Sequence, residues 1–245
     1  MSKDYDLDGD AVKDTLKVYA AESGEGYDTG LLSFFVNEKE AGTFDCTKYE
    51  LYAEDFELVE TKDKDAFLIV GASQGDDYST FLLFSYKDGL FSCCLNGEDV
   101  VQAKQYLRTS NSIRFQKGAG GATDGFVVNS YMESQSLGYH QTIIRYLAKY
   151  HCVYKYSRVY QTKLTSSSKI LTVARKTPAY EKASTGKRAF YFEKGDKVKV
   201  SKLYDNPKRF RIYIRRISDR KAGWVNGIPN YTTKTLFVGV ELDYE

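Results

Sequence analysis

No apolar run in these 245 residues approaches the ~18 that a membrane-spanning helix needs. The opening Met1-Ser2-Lys3-Asp4 lacks the apolar core of an export signal and leads straight into acidic residues. The chain therefore reads either as cytoplasmic or as one trimmed of its export segment. Histidine is nearly absent, leaving His140 and His151 as the only near-neutral bases. The four cysteines show no Cys-x-x-Cys spacing, which argues against a zinc site or thioredoxin-like chemistry. Cys93 and Cys94 are neighbours and bridge each other only with strain, while Cys46 and Cys152 stand alone, so all four read as small apolar residues. A Cys–His nucleophile pair has no supporting motif, and on a strand His151 and Cys152 point apart. Gly118-Ala119-Gly120-Gly121-Ala122 precedes neither Lys-Ser nor Lys-Thr and opens no helix, so it is a connector rather than a phosphate loop. Acids are plentiful, but nothing singles out the carboxylate pair of a glycoside hydrolase. No catalytic residue is predicted.

What is present favours strands. Only 3 residues are Pro, whereas 21 Tyr and 14 Phe raise the aromatic content to 15%, ample for a packed core. The predicted class is all-β. A net charge of +2 conceals an asymmetry: residues 166–245 carry 18 Lys+Arg against 8 Asp+Glu, and residues 1–165 carry 17 against 25. The switch falls at the polar stretch Leu164-Thr165-Ser166-Ser167-Ser168-Lys169, which predicts two domains, 1–165 and 166–245.

The first domain repeats itself. Units begin at Asp14, Asp65 and Asp124, 51 and 59 residues apart. Each is an Asp, a strand, a Ser/Gly turn, a Tyr followed closely by Thr, and a second strand. A hairpin of this kind cannot bury its apolar face alone, so neighbouring units are expected to stack. Lys87-Asp88-Gly89 and Asn96-Gly97 are predicted tight turns. Gly97–Tyr106, with early acids, is the best helix candidate. Gln141–Tyr150 has helical spacing but reads as strand in the repeat alignment.

Asp6-Leu7-Asp8-Gly9-Asp10-Ala11-Val12-Lys13-Asp14 places carboxylates at relative positions 1, 3, 5 and 9. Hard oxygens at alternating positions suit Ca²⁺, with the Val12 carbonyl and water completing the set; the alternative is a solvated acidic terminus. The spacing resembles the calcium loop of FG-GAP repeats, found in integrin-type β-propellers, and departs from it at Ala11, where Gly is usual. The resemblance implies one structural Ca²⁺ held by Asp6, Asp8, Asp10, Val12 and Asp14, within a partial propeller or a compact sheet derived from one. The three units are fewer than the four blades of a closed propeller.

The basic part carries a second pattern. Lys169–Tyr180 reads as a strand followed by a Pro/Tyr stretch; Phe190–Val200 as strand, Lys-Gly-Asp turn and strand; Phe210-Arg-Ile-Tyr-Ile as an alternating strand; and Ala222-Gly223-Trp224-Val225 as a closing strand. Together they resemble a bacterial Src-homology-3-like domain over residues 169–228, which implies a small five-stranded barrel that binds rather than catalyses. The implied ligand residues are Tyr180, Tyr191, Tyr213 and Trp224, although these aromatics fit a core equally well. Alternation puts Arg209, Arg211 and Arg215, the candidate contacts to an anionic ligand or else a merely solvated cluster, on one strand face and Phe210, Ile212 and Ile214 on the other.

The expected function is a calcium-stabilised, non-catalytic binding protein of the cell envelope or extracellular space, holding a cell-wall polymer or a protein through its C-terminal barrel. The alternatives are a cell-wall hydrolase or its accessory subunit, or a polyanion or nucleic-acid binder using the basic barrel.

Overall fold

The structure, a computed structural model, describes residues 4–7, 10–23, 28–49, 51–74, 78–100, 108–118, 124–165, 169–228 and 235–240. The all-β expectation holds. Among the described residues every element is a strand except two single 3-10 turns, Thr47–Tyr49 and Gly97–Asp99, and no helix is long and apolar enough to cross a membrane.

Two compact units emerge, Met1–Val100 with Asn111–Val128 and Arg145–Tyr156, and Val101–Ser110 with Asn129–Ile144 and Ser157–Glu245. In the first, β1 (Asp4–Tyr5), β2 (Asp14–Glu22), β3 (Thr29–Val36) and β4 (Lys39–Asp45) form an antiparallel sheet in chain order. β5 (Tyr52–Glu60), β6 (Ala66–Gln74), β7 (Tyr78–Lys87) and β8 (Leu90–Asn96) form a second. β9 (Arg108–Gln116), β10 (Gly125–Ser134), β11 (Gly138–Lys149) and β12 (Cys152–Lys155) follow, the first three running through both units.

The expected stacking is present within this unit. Phe34 of the first sheet meets Phe84 of the second at 4.8 Å between ring centroids, and on the other side Phe67 meets Phe126 of β10 at 5.3 Å. Ala66–Val70 and Thr80–Tyr86 are buried without interruption because the second sheet is covered on both faces. Each buried Phe contributes about 2–3 kcal/mol.

The repeat extends to its turns. Asn37-Glu38, Asp88-Gly89 and Tyr150-His151 are two-residue hairpin turns with both φ positive, joining β3 to β4, β7 to β8 and β11 to β12. His151 therefore sits in a turn, not on a strand beside Cys152. Asn96-Gly97 is not a hairpin: Asn96 caps the 3-10 turn, its side chain accepting from Glu98 N at 3.0 Å. Of the expected helix Gly97–Tyr106, Gly97–Asp99 forms that single turn and residues 101–107 lie outside the described residues. Gln141–Tyr150 is strand as far as Lys149, where the turn begins. Of the glycine-rich connector only Gly118 is described.

The repeating Asp is buried in all three units. Asp14 accepts Leu7 N at 2.7 Å on Oδ2 and Asn37 Nδ2 at 2.5 Å on Oδ1. Asp124 accepts Gly118 N and Lys62 N, one on each oxygen. Asp65 faces His151 Nε2 at 3.3 Å. The carboxylate fastens either the loop ahead of its strand or a neighbouring turn, using donors that would otherwise be orphaned. Just before Asp14, Ala11 has φ +66°. A side chain there opposes the left-handed conformation, so Ala11→Gly is expected to raise stability by about 1 kcal/mol. An unchanged urea midpoint would contradict this.

The second unit contains β13 (Val159–Leu164), β14 (Leu171–Val173), β15 (Thr177–Tyr180), β16 (Arg188–Phe192), β17 (Lys197–Asn206), β18 (Arg209–Arg216), β19 (Ala222–Asn226) and β20 (Phe237–Val238). Strand order runs β16-β15-β19-β18-β17-β13, with β14 bridging β17 and β20. The strands read from the sequence are present as β14, β16, β17, β18 and β19, while the Pro/Tyr stretch, read as the entry to a loop, is itself strand β15. The charge switch at 165/166 does not coincide with the division by contacts, because β13 hydrogen-bonds to β17 (Tyr160↔Leu203) across it. Ser166–Ser168 lie outside the described residues.

Candidate ligand-binding face

Alternation along β16-β15-β19-β18-β17 sorts side chains between two faces. Phe192, Ala179, Val225, Ile212, Ile214 and Leu203 fill the core of this unit. The opposite face is aromatic and basic. Cross-strand register aligns Pro178 with Tyr191, Tyr180 with Trp224, and Trp224 with Tyr213. Arg209, Arg211 and Arg215 share that face on β18, while Phe210, Ile212 and Ile214 are buried behind it.

The face has covered and open parts. Arg211 is only 4% exposed and Trp224 7%. The Arg211 Nη1 donates to the carbonyls of Lys182 (2.8 Å), Ala183 (3.1 Å) and Thr185, and its Nε to Asn226 Oδ1 at 3.1 Å. Its guanidinium lies 4.0 Å from the Tyr180 ring centroid. Burial, and secondarily Arg209, push the Arg211 pKa down. This arginine is spent on holding the 182–185 loop, and Ala183 of that loop packs with Trp224 and Tyr204. Tyr180 and Tyr213 are half-buried, Tyr191 is 40% exposed, and Arg209 and Arg215 are exposed.

Two cations not picked out from sequence complete the face. Lys202 stands 5.6 Å from the Tyr213 ring and Lys176 5.2 Å from the Tyr191 ring. Each attraction contributes about 0.5–1 kcal/mol at such exposed positions. The pairing Lys202↔Tyr213 depends on a bulge between Val200 and Lys202. Without it Ser201 would face the ring.

The acidic loop of the first unit is partly described. Asp6 Oδ2 accepts Ala11 N at 3.2 Å, Asp10 Oδ1 accepts Val12 N at 2.7 Å, and Asp14 is committed as above; Asp8 and Gly9 lie outside the described residues. Ionised carboxylate oxygens keep further lone pairs beyond these bonds, so the donor chemistry suits a hard cation. Among the described residues, however, no three acidic, His or Cys side chains stand close enough to share a metal ion.

Of the residues weighed for catalysis, Cys93 and Cys152 lie close enough to Cys94 to act on it electrostatically. His140 is fully buried, with Nδ1 at 2.8 Å from the Gly138 carbonyl, and its pKa is lowered to about 4, chiefly by burial. Burial pushes the Cys46 thiol up to about 11 and the Cys94 thiol to about 12, far from the thiolate form that attacks or binds metals. No family model, curated protein or solved structure matched this chain in the comparisons.

Proposed function

We propose that this chain is a non-catalytic binding protein that holds an anionic polymer of the cell envelope on the outer face of β16-β15-β19-β18-β17. The observation that supports this is the interleaving on one face of tyrosine rings with cations: Lys176 at Tyr191, Lys202 at Tyr213, and exposed Arg209 and Arg215 at the two ends of β18. Cations met along a polyanion release counterions, and the rings add stacking surface. The finer fold reading is a Src-homology-3-like barrel following FG-GAP-like repeats, placed in the cell envelope or extracellular space. One structural Ca²⁺ on Asp6, Asp8, Asp10, Val12 and Asp14 belongs to this reading, supported by the left-handed Ala11 at the position where such loops turn. Equal melting temperatures with calcium and with chelator would remove the ion from it.

A second reading, single-stranded nucleic acid, is favoured by the half-open rings of Tyr180, Tyr191 and Tyr213, because stacking on bases tolerates any sequence. Titration against a wall teichoic acid and against an oligonucleotide at several salt concentrations separates the two. For either polymer, Arg209→Gln/Arg215→Gln is expected to lower affinity and flatten the dependence of log K on log salt by about 2. Tyr213→Ala is expected to cost about 1–3 kcal/mol with the oligonucleotide and little with teichoic acid. A double variant that binds both polymers with the wild-type salt slope would place any polyanion site elsewhere.

A further inference from the structure

The acidic first unit carries a cleft of its own, of about 290 Å³, between β5, β6, β7 and β9. Asp55 and Glu57, two residues apart on β5, lie on its rim, and Glu54 stands beside them with Oε1 accepting from Ser73 Oγ. A bulge between Ala53 and Asp55 sets this register, so that Asp55 pairs with Gly71. Gly71 supplies a floor without a side chain, and Phe81, almost wholly buried, lines the cleft beside it on β7. Among the described residues no Lys, Arg or His lines the cleft. Among the described residues no cation pairs with Asp55 or Glu57.

The far wall holds an independent indication. Asn111 of β9 is 3% exposed and lines the cleft; its Nδ2 donates to the Gly97 carbonyl at 3.1 Å, while its Oδ1 has no partner. A buried acceptor left unsatisfied is costly and calls for a donor. Carboxylates on the rim, a buried amide oxygen on the wall and an apolar floor with an aromatic ring ask for one kind of ligand. It must carry N–H donors and positive charge on a slim apolar stem. A bare metal ion lacks both the stem and the donors.

We infer that this cleft binds a linear alkylammonium group, supplied by a free aliphatic amine or by a lysine side chain of a peptide. Asp55 and Glu57 attract the charge, the ammonium donates to Asn111 Oδ1, and the methylenes lie over Gly71 against Phe81. The site is in the opposite half of the sequence from the basic face and is independent of the polyanion reading.

The test titrates 1,5-diaminopentane and Nα-acetyl-lysine amide into the full chain, followed by calorimetry and by the amide resonances of Gly71 and Asn111. Either probe is expected to move those resonances, and Asp55→Asn/Glu57→Gln to weaken binding about tenfold or more. Both replaced side chains are exposed, so an unchanged melting temperature should accompany the loss. Response to the diamine alone identifies free amines as the source; response to the lysine amide alone identifies a peptide; both outcomes support the site. The inference is overturned if neither probe moves these resonances at millimolar concentration, or if 1-pentanol moves them as far as the diamine does.

Discussion

Replacing Arg211 with Ala is expected to lower stability by about 3 kcal/mol and to shift the emission of Trp224 to longer wavelength. Among the described residues Arg211 is a buried cation with no carboxylate hydrogen-bond partner; three loop carbonyls and the Asn226 side chain carry its donors. Hydrogen bonds to a charged group contribute about 1.5–3 kcal/mol each, and the desolvation of the guanidinium offsets part of their sum. Loss of the fan of donors releases residues 182–185, and with them the Ala183 contact over Trp224. Trp224 is the only tryptophan, so emission and acrylamide quenching report on the surroundings of this one residue, of which the loop is the cover. Arg211→Lys should recover less than half of the loss, because an ammonium cannot reach three carbonyls while stacking on Tyr180. Wild-type urea midpoint and emission in Arg211→Ala would mean that the loop holds without it.

The repeating Asp, the paired strands behind it and the Asp88-Gly89 turn were legible because each rests on local chemistry: an acceptor for backbone amides, period-two alternation and a residue pair that accepts positive φ. The equivalent turns Asn37-Glu38 and Tyr150-His151 were not. Glu, Tyr and His resist that conformation, and tertiary contacts hold it: Asn37 Nδ2 donates to Asp14, and His151 faces Asp65. The same masking hid β12. The acids of the opening loop were legible as a group but not in role, since a carboxylate that binds an ion and one that caps backbone amides look alike in sequence. On the basic face, alternation correctly separated Arg209, Arg211 and Arg215 from Phe210, Ile212 and Ile214. It gave no sign that Arg211 is buried under a loop 26–29 residues away in sequence. Lys202 at Tyr213 and the cleft beside Asp55 both depend on a bulge, which shifts register by one residue without a sequence mark.

The second large effect is loss of stability in mild acid through His140. In the folded chain burial lowers its pKa to about 4, while the Gly138 carbonyl on Nδ1 opposes this in part; an unfolded chain protonates the same imidazole near the usual 6.5. Above that value both states leave it neutral and it adds no pH dependence. Between 6.5 and 4 the unfolded state binds one more proton, so stability falls with pH at up to about 1.4 kcal/mol per unit. The total loss approaches about 3 kcal/mol and levels off below pH 4 for this group. Carboxylates also titrate toward the lower end, so the comparison with His140→Asn carries the test. The variant is expected to be less stable at pH 7.5, since Asn fills the fully buried site imperfectly, yet its urea midpoint should fall less steeply from pH 6.5 to 5 than that of wild type. Parallel curves over that interval would show that His140 takes up a proton as easily folded as unfolded, and that some other group governs the acid response.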